Sequence, residues 1–193
     1  MKNPFLVGRT LYLRPPETGD AALTAACTNS AEARESFFTH TPVSLEAERR
    51  RLEDLGRPGG DYIPLVICPL GVDEGIGLTA FHRVDLVSRA AVFSICIPAA
   101  GNWGKGFGTE TTRLMLAYGF DILNLHRVQL HVWAENTRAI RAYEKAGFVR
   151  EGLLREAMKH HGKYCDFLVM GILEPEWRSR SAGPAGRGDA NGG

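Results

Sequence analysis

Gly104-Lys105-Gly106-Phe107-Gly108-Thr109, lying between an apolar strand-like run and a helix-like run, is the segment whose residue types and spacing can do chemistry. Alternate glycines remove side chains, so successive backbone N–H groups can approach a ligand closely. A helix starting directly behind them adds unpaired N–H groups and the positive end of its dipole. Together they make a cradle for a pyrophosphate or a similar anion. Two other glycine motifs do not fit. A P-loop requires Gly-x-x-x-x-Gly-Lys-Ser/Thr, and Lys105 is followed by Gly106; the dinucleotide fingerprint requires Gly-x-Gly-x-x-Gly, and the spacing here is Gly-x-Gly-x-Gly. The four cysteines, Cys27, Cys68, Cys96 and Cys165, are widely spaced and form no Cys-x-x-Cys pair, so neither a zinc site nor a disulfide framework is expected.

The elements that must position this loop follow from periodicity and punctuation. Leu11–Arg14 alternates and stops at Pro15-Pro16, a strand. Helices are expected from Asp20, as N-cap, to about Ser30, and from Ser44 to Leu55, where Glu46 and Glu48 suit the first turn. Strands are predicted over Tyr62–Cys68, Gly75–Val84 and Ala90–Ile97, the last two joined as an antiparallel hairpin through Asp85–Arg89. Behind the glycine loop, Glu110–Phe120 reads as a helix. Arg127–Trp133 reads as a strand, Thr137–Ala146 as a helix, Phe148–Gly152 as a short extended piece and Lys163–Leu173 as a closing strand. The series gives one mixed α/β domain over residues 1–178 and a flexible tail over 179–193, whose Arg187-Gly188-Asp189 reads as a chance tripeptide.

Composition narrows the function classes. The chain has 193 residues, 44% hydrophobic and 23% charged, with a formal net charge of +1. That is enough for one substantial core, and it gives no electrostatic case for a nucleic-acid partner. No stretch has the length of a membrane span, and Met1–Phe5 lacks the apolar core of a signal peptide, so the expected location is the cytoplasm, with reduced cysteines and no membrane or metal partner.

About thirty residues beyond the loop stands Asn136-Thr137-Arg138-Ala139-Ile140-Arg141-Ala142-Tyr143-Glu144-Lys145-Ala146-Gly147-Phe148. In order and spacing the two segments resemble the GNAT superfamily of acyl-CoA-dependent N-acetyltransferases. Leu11-Tyr12-Leu13-Arg14-Pro15 and Glu151-Gly152-Leu153-Leu154-Arg155 resemble its branch that includes the ribosomal-protein N-terminal (alanine/serine) acetyltransferases, and the likeness extends from Leu6 to Leu173. The resemblance implies a mostly antiparallel twisted sheet flanked by helices, with acetyl-CoA as acyl donor. The family's first motif opens with Gln or Arg, whereas this chain has Trp103 there, which keeps the backbone cradle and removes one polar side chain.

By that resemblance, the donor would contact Trp103, Gly104, Lys105, Gly106, Phe107, Gly108, Thr109, Asn136 and Tyr143. The backbone of Ile95, Cys96 and Ile97 would pair with the pantetheine arm like an added strand, and a splay there would aim an N–H at the thioester oxygen. Tyr143 would protonate the departing thiolate. His131, where some relatives carry a glutamate, is the first candidate for the base, ahead of Glu110, Glu135, His82 and Asp85. Structural readings stand beside these. Tyr143 falls where a helix would place a core aromatic, Asn136 is a suitable N-cap, Lys145 a solvated helix end, and a strand histidine such as His131 is commonly packed or at the surface. Cys96 lies near the expected thioester, yet direct transfer needs only proximity, and no His–Asp pairing points to a covalent route.

The expected function is direct acetyl transfer to a primary amine, with a protein N-terminus placed first. The alternatives are a small amine (polyamine, aminoglycoside or other antibiotic) and a non-catalytic acyl-CoA sensor. Acceptor choice is expected in the variable region near Phe37-Phe38, where Glu32, Glu35, Glu46 and Glu48 are candidate charges, and a homodimer is the default assembly.

Overall fold

The computed structural model describes residues 1–31, 41–55, 60–160 and 162–181. Among these, the chain runs β1 (Leu6–Val7), β2 (Leu11–Arg14), a 3-10 turn (Thr18–Asp20), α1 (Ala21–Asn29), α2 (Leu45–Asp54), β3 (Ile63–Pro69), β4 (Gly77–Asp85) and β5 (Ala90–Cys96). It continues with a short turn (Ala100–Asn102), α3 (Phe107–Ala117), a π-helical turn (Tyr118–Ile122), β6 (Arg127–Trp133), α4 (Thr137–Ala146), β7 (Val149–His160), β8 (Lys163–Leu173) and α5 (Glu174–Ser181).

The strands form one sheet in the order β1-β2-β3-β4-β5-β6-β8-β7. Neighbours are antiparallel except β5 and β6, which the crossover through α3 makes parallel. This is the mixed, mostly antiparallel sheet expected. Alternation along the strands divides side chains between its faces. Leu11, Leu13, Leu65, Ile67, Phe81 and Phe93 meet Met115 and Leu116 of α3 and Ile140, Tyr143 and Ala146 of α4 in the main core. On the opposite face Tyr12, Val66 and Cys68 form a smaller cluster with Leu23 of α1 and Leu78 of β4. No helix among the described residues is long and apolar enough to cross a membrane.

Local chemistry sets the helix ends near the site. Ser44 caps α2 by accepting the Ala47 N–H at 3.1 Å, and Asn136 caps α4 by accepting the Ala139 N–H at 3.1 Å. Gly147 closes α4 with φ 116°, a left-handed turn that brings the Gly147 and Phe148 N–H groups back to the Tyr143 carbonyl. Asp20 occupies the N-cap position of α1 without bonding that helix. Its carboxylate is taken by the Arg14 guanidinium through two contacts of 2.8 Å, and by the Glu17 N–H.

Several boundaries differ from expectation for identifiable reasons. Helix α3 starts at Phe107, three residues ahead of Glu110, because Gly106 takes φ 85° and serves as its N-cap. The glycine motif therefore supplies the helix's first turn. The short piece expected at Phe148–Gly152 is the beginning of the 12-residue β7. That strand lies at the sheet edge with mostly exposed side chains and two register shifts against β8, so no alternation announces it. Residues 179–181 belong to α5, while the remainder of the expected tail, 182–193, lies outside the described residues, as do Glu32, Glu35, Phe37 and Phe38.

Candidate active site

The β5–β6 ladder holds for three pairs, Ala90↔Arg127, Ala91↔Val128 and Val92↔Gln129, and stops there. Beyond it the strands part around a cavity of about 1020 Å³, walled by β5, the glycine loop, β6 and α4. This is the splay expected beside Ile95, Cys96 and Ile97, and all three line it.

At one end stands the loop. Gly104 and Gly106 have φ of 74° and 85°, conformations that any side chain would strain. The first intrahelical bond of α3 runs from the Glu110 N–H to the Gly106 carbonyl, so the Phe107, Gly108 and Thr109 N–H groups precede it and have no partner within the helix. Trp103, Gly104, Gly106, Phe107, Gly108 and Thr109 line the cavity together; Lys105 does not. Trp103 donates its indole N–H to the Ile97 carbonyl at 2.8 Å, fastening the loop to the end of β5. Arg138, the second residue of α4, lies over the Trp103 ring at 3.4 Å from its centroid. A cation from α4 thus lies beside the loop at the position where the motif's leading Gln or Arg is replaced by Trp103. Neither Arg138 nor this stacking was expected from the sequence.

Tyr143 projects from α4 into the cavity wall and is 9% exposed, its ring edge-on to Phe93 at 6.2 Å and to Phe148 at 6.0 Å. It packs as a core aromatic and also borders the cavity. Burial, with a lesser contribution from neighbouring Cys96, pushes its phenol well above the usual range, and Arg138 opposes this only in part. The hydroxyl consequently stays protonated, the state a proton donor needs. Asn136 also borders the cavity while capping α4, and Lys145 lies in the wall. The Cys96 thiol faces the Cys27 carbonyl at 3.7 Å and the Cys27 thiol faces that of Cys96 at 3.9 Å, which seats α1 against β5.

The candidate bases separate. His131 is exposed between buried Leu130 and Val132 and borders the cavity, where partial burial and Arg83 lower its pKa. His82 also borders it, and its Nε2 lies 2.7 Å from the Ser94 hydroxyl, with the Tyr62 ring packed at 4.8 Å. Burial lowers the His82 pKa; Asp61 acts against this and Arg83 with it. Glu135 lies in the wall. Glu110 and Asp85 have structural work instead. The Glu110 carboxylate accepts the Arg9 and Thr10 N–H groups of the β1–β2 turn, and Asp85 accepts those of Val87 and Ser88 in the β4–β5 turn. Of the proposed acceptor charges, Glu48 is buried against Arg51 and Glu46 pairs with Arg50 along α2. Among the described residues no group of three or more His, Cys, Asp or Glu side chains could hold a metal.

The profile of the acetyltransferase (GNAT) domain family matches residues 10–149. In sequence, the spermidine N(1)-acetyltransferase of Vibrio cholerae is 42% identical over 106 residues, covering 55% of this chain and 61% of that enzyme, so the alignment spans less than two thirds of that relative. The uncharacterized N-acetyltransferase YoaA of Bacillus subtilis is 34% identical over 175 residues, 89% of this chain and 98% of the relative. In structure, the Vibrio cholerae spermidine N-acetyltransferase in complex with CoA and spermine superposes with a TM-score of 0.79 and 32% identity, covering 88% of this chain and 98% of that one. A dodecameric form of the same enzyme superposes with a TM-score of 0.75 at 32% identity over 89% of this chain and 98% of that one.

Proposed function

Since the chain belongs to the GNAT acetyltransferase family, and is an N-acetyltransferase drawing its acyl group from acetyl-CoA, we propose that its acceptor is a small primary amine of the polyamine kind. The observation that carries this reading is the likeness to the Vibrio cholerae spermidine enzyme, which extends over 98% of that structure and is accompanied by a cleft between β5 and β6. It supports the small amine over the protein N-terminus that the motif resemblance placed first.

In this mechanism the first-turn N–H groups of α3 and the flanking glycines hold the donor's pyrophosphate, and the parted edge of β5 at Ile95–Ile97 orients its thioester. Asn136 and Arg138 close that wall from α4. The amine attacks the thioester carbon; the C–S bond breaks with its electron pair on sulfur, and Tyr143 gives the thiolate a proton. The dodecameric relative supports a homo-oligomer for this chain as well, of which the expected homodimer is the smallest unit.

The test is CoA release by the purified protein with acetyl-CoA and a panel of spermidine, spermine, an aminoglycoside and N-terminal peptides. Release that saturates with spermidine or spermine and is much slower with peptides is the expected result. Saturable release with a peptide alone would move the acceptor class to protein N-termini.

A further inference from the structure

Resting on the acetyl-transfer reading above, we propose that His82 and Ser94 form a proton relay, with Ser94 meeting the substrate amine and His82 receiving its proton. Three arrangements lead to it. The β4–β5 register sets Phe81 opposite Phe93 and His82 opposite Val92, so His82, Val92, Ser94 and Cys96 share the sheet face away from Tyr143's contact with Phe93. On that face the His82 Nε2 and the Ser94 hydroxyl are 2.7 Å apart and both border the cavity. The chain from Ser94 to Cys96 then leads directly to the parted edge. The proton acceptor and the proton donor therefore flank the cleft from the two faces of the sheet, one suited to the incoming amine and the other to the departing thiolate.

The surroundings of His82 keep it in the state a base requires. Tyr62 of the chain leading into β3 covers its ring, Asp61 beside it supplies negative charge, Arg83 on its own strand supplies positive charge and Ser94 faces it from β5. Burial outweighs Asp61, so the imidazole is neutral at neutral pH. Arg83 takes φ 50° where the register shifts between His82 and Asp85, and this irregularity places its side chain on the same cavity as His82.

The step balances. A substrate ammonium gives one proton to the Ser94 oxygen as the Ser94 hydroxyl proton passes to His82 Nε2, leaving a neutral amine and an imidazolium. The nitrogen lone pair forms the C–N bond and the C–S electrons go to sulfur, which takes the Tyr143 proton. The second nitrogen proton restores the phenol, and the imidazolium releases its proton to water. The sum is one amide, one CoA thiol and one proton.

The test is the pH profile of kcat/KM with spermidine, or with whichever panel amine is turned over fastest, for the wild type, His82→Gln, Ser94→Ala and the double variant. The expected results are a fall in kcat of about 10²-fold in each single variant, little further loss in the double variant, and disappearance in His82→Gln of the acid limb seen in the wild type. Acetyl-CoA affinity, measured alongside, stays within about twofold and reports that the variants are folded. An acid limb that persists in His82→Gln, or that vanishes in His131→Gln instead, would overturn the relay while leaving acetyl transfer standing. A wild-type protein that releases no CoA with any amine would overturn the acetyl-transfer reading and the relay with it.

Discussion

The guanidinium of Arg138 and the indole of Trp103 are stacked at 3.4 Å, and the same indole is bonded to the Ile97 carbonyl. One aromatic ring thus joins the end of β5, the glycine loop and the start of α4, and fixes a cation beside a set of N–H donors. Arg138→Gln is expected to weaken acetyl-CoA binding about tenfold, with the loss shrinking at high salt. Trp103→Ala should approach the same loss because Arg138 loses its platform, and Trp103→Phe should lose less. Calorimetric titration measures all three, and an unchanged affinity in Arg138→Gln would take the guanidinium out of the donor site.

Tyr143→Phe separates chemistry from packing. The ring keeps its edge-on contacts with Phe93 and Phe148, so stability and acetyl-CoA affinity should change little. Turnover should fall by about 10²–10⁴-fold. A near-wild-type kcat would reduce Tyr143 to a core residue.

Two glycines of the loop should respond differently to alanine. At Gly106 the φ of 85° strains any side chain, so Gly106→Ala is expected to lose about 1–2 kcal/mol of stability as well as donor affinity. At Gly108 an added Cβ meets no protein atom within 4 Å, so Gly108→Ala should fold normally and lose affinity alone. Denaturation midpoints and acetyl-CoA titrations of the two variants provide the comparison.

Acid stability should depend on Asp20. Burial alone would raise its carboxyl, but the Arg14 guanidinium and the Glu17 N–H outweigh that and hold it below the usual range. A carboxyl depressed in the folded state contributes stability that is fully present above its unfolded pKa, near 4, and is lost as pH falls through the folded value. Urea denaturation should therefore show little pH dependence from this group above about pH 5 and a decline below about pH 4. Asp20→Ala should remove that component of the decline and cost about 3 kcal/mol at neutral pH, because it leaves the Arg14 charge, 3% exposed, without its carboxylate.

Much of this architecture was legible in the chain. The β4–β5 hairpin, α4 and the strand at Arg127–Trp133 announced themselves because periodicity and punctuation agree there. The glycine loop at the head of a helix was legible for a similar reason, since glycine spacing and backbone N–H groups are local properties. What escaped depends on pairing across long separations. Edge strand β7 has no alternation to display, and its order comes from β8. Arg138 reads as an ordinary helix cation until Trp103 is found beneath it. Ser94 carries no signal alone, although the predicted hairpin could have placed it diagonal to His82 on one face. Asp20 was placed at the right cap position, yet the competing Arg14 claims its carboxylate, a preference that sequence spacing does not express.

The cleft draws its walls from unequal lengths of chain: His82 and Arg83 lie before the Asp85–Arg89 turn, and every other residue of its lining lies between Val92 and Lys145. The turn is consequently a natural joint for recombination. Exchange of the sequence ahead of it, with the core positions that meet α3 and α4 kept, would change the wall bearing His82 and Arg83 without altering a residue of the glycine loop. The two parts of the cleft wall are therefore encoded on opposite sides of one short turn, where a single crossover would exchange one and leave the other intact.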